Sequence, residues 1–208
     1  MSSHWIGEGH SRKPYLFLIS AATGSKTRNK AFGVKLPLLG YPAMNLAMIS
    51  ALTPDRFNVR LVDEANERVP YGDGCDLALI VGQTHHMPNV YSIADRLRSE
   101  GTKVILGGMH VTVLSEEALN HADSVIIGEA EAVWGEVLDD FAAGSLQRKY
   151  YGREVDMDNL PPIRRDLLNK KFYHTGEIIE TTRGCPVGCV FCGTQNFFSA
   201  KFRVRSPE

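Results

Sequence analysis

No run of eighteen apolar residues occurs anywhere in the 208-residue sequence, and the longest apolar stretches are strand-sized, so a helical membrane span is not expected. A basic excess is also missing. The 23 Lys and Arg against 24 Asp and Glu give a formal net charge of −1, which argues against a nucleic-acid partner, because such proteins cluster cations over a whole face. The segment Met1 to Lys13 holds Trp5, Gly7 and Gly9 but no apolar h-region. A flexible lead-in rather than a signal peptide, and a cytoplasmic protein, are the expectations. No internal repeat is visible, and no Gly-x-Gly-x-x-Gly string follows the first strand-like run, which ranks a flavodoxin-like nucleotide or flavin binder low. Cysteine is scarce too: of the four present, three fall within eight residues, a distribution foreign to disulfide frameworks and suited to ligands. The fourth, Cys75, precedes the apolar run Leu77 to Val81 and reads as a small buried hydrophobe.

What is present is a 43% hydrophobic composition, ample for a core, arranged as alternating strand-like and helix-like runs from Tyr15 to Gly144. That alternation predicts an α/β fold with a parallel five-stranded sheet, doubly wound in the flavodoxin or Rossmann manner. The strands fall at Tyr15 to Ile19, Phe57 to Val62, Asp76 to Val81, Lys103 to Leu106 and Ser124 to Ile127. Pro88 suits a first helical position, and Val90, Ile93, Ala94 and Leu97 follow at helical spacing until Gly101. Ala130, Val133, Trp134, Val137, Leu138 and Phe141 repeat the period, so Trp134 is assigned to the core. Pro42 to Leu52 makes a further helix, and Ser115 to Leu119 a short one. Charged residues from Ser145 and the pair Pro161-Pro162 mark a linker over 146–175 between a domain at 14–145 and a new unit at 176–208. Glu177 to Thr182 alternates like the first strand of that unit.

Directly after that strand comes Thr181-Thr182-Arg183-Gly184-Cys185-Pro186-Val187-Gly188-Cys189-Val190-Phe191-Cys192. Three and then two residues separate the thiols, so one compact loop can present Cys185, Cys189 and Cys192 to a single cluster and leave one metal position open. Gly184, Pro186 and Gly188 supply the turn geometry. Structural zinc is the lesser alternative, since it wants four ligands; no second cysteine couple exists, and the nearest histidine, His174, lies across the strand. Arg183 stays open between a surface charge and a role near the cluster.

Cys-x-x-x-Cys-x-x-Cys with an aromatic before the last cysteine resembles the signature of the radical S-adenosylmethionine superfamily, and the longer string is similar to the subgroup with an N-terminal cobalamin-binding domain. The resemblance implies a 4Fe-4S cluster on Cys185, Cys189 and Cys192, S-adenosylmethionine on the open iron with Phe191 beside its adenine, and radical chemistry at an unactivated carbon. Its members take a small-molecule substrate and electrons from a reductant such as flavodoxin or ferredoxin. Carbon methylation is the leading variant.

The loops leaving the strands agree with this resemblance, since ligands of doubly wound sheets sit beyond the carboxyl ends. Gly82-Gln83-Thr84-His85-His86-Met87-Pro88, Gly107-Gly108-Met109-His110-Val111-Thr112 and Gly128-Glu129-Ala130-Glu131 leave the third, fourth and fifth strands. By resemblance, Gln83, Thr84, His85, Gly107, Gly108, His110, Thr112, Gly128 and Glu129 are cobalamin contacts, the third-strand loop facing the corrin and the other two enclosing the nucleotide tail. Pro37 to Ala47 and Pro161 to Leu168 extend the likeness. One departure stands out: none of the seven histidines has Asp two places before it, so the Asp-x-His-x-x-Gly motif that ligates cobalt is missing. His85 or His86 near cobalt is a minority alternative to simple exposure.

A radical S-adenosylmethionine barrel needs further strand–helix units, and only Gly193 to Glu208 follow the loop. The expectation is therefore a chain truncated early in that domain and inactive alone, with the enzymatic assignment belonging to the intact relative. The competing expectation is a non-catalytic cobalamin- or nucleotide-binding module with a vestigial cluster loop.

Overall fold

The structure is a computed structural model that describes residues 12–22, 42–169, 173, 178–198 and 201–207. Expectations placed on the first eleven residues, on Pro37 to Tyr41, on His174 and on Glu177 lie outside the described residues. The chain runs β1 (Tyr15–Ser20), α1 (Met44–Ala51), β2 (Asn58–Asp63), β3 (Leu77–Val81), α2 (Met87–Ser99), β4 (Lys103–Gly107), α3 (Met109–Val113), α4 (Ser115–Ala118), β5 (Ser124–Ile127), α5 (Trp134–Ala142) and β6 (Lys149–Tyr151). It ends in β7 (Thr182–Arg183), α6 (Thr194–Phe198) and β8 (Arg203–Val204).

Strands β1 to β6 form one parallel sheet in the order β2-β1-β3-β4-β5-β6. The sheet has six strands where the sequence predicts five. Residues Lys149 to Tyr151 fall in the stretch assigned to the linker, yet they pair with Val125 to Ile127. Only Tyr150 of the three is buried, so no period-2 pattern marks the strand. Chain order reverses at β1, giving the switch point of a doubly wound sheet between β1 and β3.

Successive residues of β1 feed opposite faces, as the pleat requires. Phe17 and Ile19 meet Ala78, Ile80, Val104 and Leu106 under Val90, Ile93 and Leu97 of α2. Leu16 and Leu18 meet Leu77, Leu79 and Ile105 under Leu46 and Ile49 of α1 and Trp134, Val137 and Leu138 of α5. Trp134 is fully buried and its Nε1 donates to Thr53 Oγ1 at 2.9 Å, satisfying the one polar atom of its ring. Pro88 occupies the first turn of α2. A 3₁₀ turn at Ala130–Ala132 precedes α5, so this helix begins later than the apolar periodicity predicts. Among the described residues no helix is long and apolar enough to cross a membrane.

Beyond the sheet, the predicted strand at Glu177 to Thr182 is reduced to Thr182–Arg183, which pairs antiparallel with Arg203–Val204 to bracket the cysteine loop.

Candidate functional site

A cavity of about 1020 Å³ opens at the carboxyl ends of the strands. Ser20, Val81, Gly82, Gly107, Gly108 and Gly128 form its floor, α1 gives Met44 and Met48, and the β3 loop gives Gln83, Thr84, His85 and His86. A further part of its wall comes from the far end of the chain: Ile178, Glu180, Arg183, Phe197 and Phe198. One space therefore lies between the loops of the sheet and the segment that carries the cysteines.

Backbone geometry at the floor requires glycine. Gly108 has φ +109° and ψ −178°, a region that L side chains avoid, so the β4 loop passes beneath the cavity without a Cβ. Gly128 has φ +83°, and a Cβ there would lie 2.7 Å from Gly152 O. Thr112 ties the two loops together, its Oγ1 donating to Gly108 O and accepting from Gly128 N, both at 3.0 Å.

Of the predicted contacts, Gln83, Thr84, His85, Gly107, Gly108 and Gly128 line this cavity. Thr112 and Glu129 instead border an adjoining space of about 290 Å³ with Tyr151 and Gly152. His110 lines neither: its side chain is nearly buried and points to Glu117, with Nε2 3.5 Å from Oε1. His85 and His86 stack edge to face at 4.0 Å, and burial, with help from the charge of His85, lowers the pKa of His86 and favours its neutral ring. Asp63, which the sequence did not single out, sits on the rim and accepts from Tyr173 Oη at 2.6 Å.

The cysteine loop turns between Cys189 and Cys192, whose backbone N donates to Cys189 O at 3.0 Å. Gln195 Nε2 donates to Cys185 O at 3.1 Å, joining the start of the loop to α6. Cys185 is half-buried and Cys189 and Cys192 are exposed, all as free thiols. Cys192 Sγ lies 3.1 Å from Thr194 Oγ1, and hydrogen bonds from the Thr194 side chain and backbone hold its pKa below the usual thiol range. Phe191 is 88% exposed among the described residues. Among the described residues no three His, Cys, Asp or Glu side chains converge on a single metal ion. The donor set itself, three accessible thiols on an eight-residue loop, fits thiolate ligation of an iron–sulfur cluster, which spreads its ligands over several corners.

Arg183 is not a surface charge. Its side chain is 6% exposed and its guanidinium is fully engaged: Nη1 donates to Glu129 Oε2 at 2.9 Å, Nη2 to Glu131 Oε1 at 2.6 Å, and Nε to Glu180 Oε1 at 2.8 Å. Burial opposes its charge, but Glu180 and Glu131 outweigh burial and raise its pKa above the ordinary arginine value. Arg203 from β8 takes both oxygens of Glu129 and also donates to Val155 O at 2.8 Å. Glu129, 3% exposed, is thus clasped by two arginines. The sequence signal was Glu-x-Glu after β5 with arginines on both sides of the cysteines, but nothing local pairs residues 54 and 74 positions apart.

Comparison with known proteins supplies a match for part of this chain. Residues 40–138 match the family model for the B12 binding domain, which spans the described chain from α1 into α5. The chain is 34% identical over 178 residues, 79% of its own length, to bacteriochlorophyllide d C-8(2)-methyltransferase of Chlorobaculum tepidum, of which it covers 38%. It is also 34% identical over 97% of its length to the C-12(1)-methyltransferase of the same organism, covering 44% of it, and 26% identical over 80% of its length to hopanoid C-2 methylase of Rhodopseudomonas palustris, covering 33%. The chain therefore spans less than half the length of these relatives.

Proposed function

We propose that this chain is the cobalamin-holding and cluster-holding part of a radical S-adenosylmethionine methyltransferase acting at carbon, with a bacteriochlorophyllide-like molecule as the substrate class. One observation carries this: the large glycine-floored cavity at the carboxyl ends of the sheet shares its wall with the segment that bears three accessible thiols. In this reading cobalamin supplies the methyl group, and a 4Fe-4S cluster with S-adenosylmethionine supplies the radical that opens a carbon–hydrogen bond.

The chain's own residues have simpler tasks. Gly107, Gly108 and Gly128 allow a flat ligand to lie on backbone, while Gln83 and Thr84 offer polar groups at its edge. Cys185, Cys189 and Cys192 would hold the cluster, Thr194 keeps Cys192 inclined to the thiolate, and Phe197 and Phe198 present apolar rings to the cavity that would help exclude water from it. A flavodoxin- or ferredoxin-type reductant and a cytoplasmic location belong to the same proposal.

Anaerobic reconstitution of the 208-residue chain with ferrous iron and sulfide, followed by titration with hydroxocobalamin, tests it. The expected results are a brown chromophore that disappears in Cys185→Ala, Cys189→Ala or Cys192→Ala, and a shift of the cobalamin visible bands. A colourless chain that takes up zinc would overturn the cluster assignment. An unshifted cobalamin spectrum would overturn the cavity assignment.

A further inference from the structure

The arginine-clasped carboxylate of Glu129 lies outside the tasks just described, and its placement gives it one. It follows Gly128, which lines the large cavity, and its two oxygens are held by Arg183, two residues before Cys185, and by Arg203 on the opposite strand of the ribbon that brackets the cysteine loop. Every side chain that joins Glu129 to this ribbon is nine-tenths or more buried. A buried charge cannot part from its partner and stay where it is, because the uncompensated ion would be left in apolar surroundings. The β5 loop and the base of the cysteine loop must therefore move together or stay together.

Resting on the proposed cofactor reading, we infer that Glu129 is a positioning residue that couples occupancy of the cysteine loop to the affinity of the large cavity. Filling the cysteine loop fixes the ribbon, the ribbon fixes Glu129 through Arg183 and Arg203, and Glu129 sets the backbone of Gly128 at the cavity floor. Backbone contacts make this transmission stiff: Gly152 N donates to Ile127 O at 2.7 Å, just before Gly128, and Val155 N lies 3.4 Å from Glu129 Oε2. Coupling of this kind is reciprocal, so a ligand in the cavity must alter the cluster in turn.

The test compares hydroxocobalamin dissociation constants, read from its visible bands, for the metal-free and the iron–sulfur-loaded chain, in wild type, Glu129→Gln and Glu131→Gln. In wild type, loading is expected to tighten cobalamin binding by about five-fold or more, the lower range of typical couplings, and cobalamin is expected to perturb the electron paramagnetic resonance signal of the reduced cluster. In Glu129→Gln the ratio of the two constants falls to about one, while the chain still develops the cluster chromophore. Glu131→Gln, which takes the charge from one of the carboxylates that Arg183 meets, gives an intermediate ratio. Should both cofactors bind wild type with a ratio of one, the inference fails and the cofactor assignment stands. Should wild type bind no cobalamin or no iron, the cofactor assignment itself fails. If circular dichroism shows Glu129→Gln unfolded, Glu131→Gln decides, and an unchanged wild-type ratio in that folded variant overturns the coupling.

Discussion

Replacing Gly152 with alanine puts the rigidity of the β5–β6 rim to a direct test. A Cβ at this position would lie 2.1 Å from Glu129 O, 2.6 Å from its carbonyl carbon and 2.8 Å from its nitrogen. Ordinary carbon contacts sit at about 3.5–4.0 Å, so the two backbones would have to separate by more than about 1 Å. All three obstructing atoms are main chain, so no rotamer change relieves the clash. The same segment is held by the Gly152 N to Ile127 O bond at 2.7 Å and by the two arginines on Glu129. Overpacking costs about 1–3 kcal/mol where side chains can adjust, and this site belongs at or beyond the upper end, at about 3 kcal/mol. With a urea m-value of about 2 kcal/mol per molar, the unfolding midpoint followed by far-UV circular dichroism should fall by about 1.5 M. Gly135→Ala serves as the control. It lies in α5 with nothing within 4 Å of its Cβ position, so it should be neutral or stabilising by up to about 1 kcal/mol. A Gly152→Ala chain whose midpoint lies within about 0.25 M of wild type, a difference of about 0.5 kcal/mol, would refute the account of this rim.

Further outcomes follow from the buried Trp134 ring and the half-buried Cys75 thiol. Thr53→Val removes the acceptor of the fully buried Trp134 Nε1 and should cost about 1–3 kcal/mol in urea unfolding, whereas Trp134→Phe loses both the bond and ring volume and should cost at least as much. Burial pushes the Cys75 thiol up to about 12, so in the metal-free folded chain at pH 8 iodoacetamide should label three thiols, and a fourth only after unfolding, as mass spectrometry would show. Because the folded chain holds that proton where an unfolded thiol, with a pKa of about 8.5, releases it, this contribution is complete below about pH 8.5. It is lost as pH rises towards 12, by at most about 1.4 kcal/mol per unit. A Cys75→Ala chain should show a shallower alkaline loss over that window.

Much of the sheet is legible in the sequence because its strands are buried on both faces and read as apolar runs. The run Ser124 to Ile127 coincides with β5 to the residue, and Lys103 to Leu106 falls short of β4 only by Gly107. β6 is not legible, because its pairing depends on a neighbour already in place and its one buried residue, Tyr150, is fixed by a bond from Oη to Asp140 Oδ2 at 2.8 Å. The glycine loops are legible from the rule that ligands of such sheets sit at carboxyl ends. The arginine clasp is not, since its members, Glu129 and Glu131, Glu180 and Arg183, and Arg203, come from three separate stretches of chain and each looks like a surface charge when read alone. His110 reads as a cavity residue from its loop, but the first turn of α3 carries its ring round to Glu117.

The direction of β6 has a consequence of its own. Three residues of strand travel about 10 Å, roughly the depth of the sheet at its margin. Run upward beside β5, they deliver the following polypeptide to the mouth where the glycines lie; run downward, they would have released it at the opposite end of the molecule. The polarity of Lys149–Tyr151 thus decides where everything after it can go. A hairpin at this edge would strand every later residue on the wrong side, whatever chemistry those residues carried.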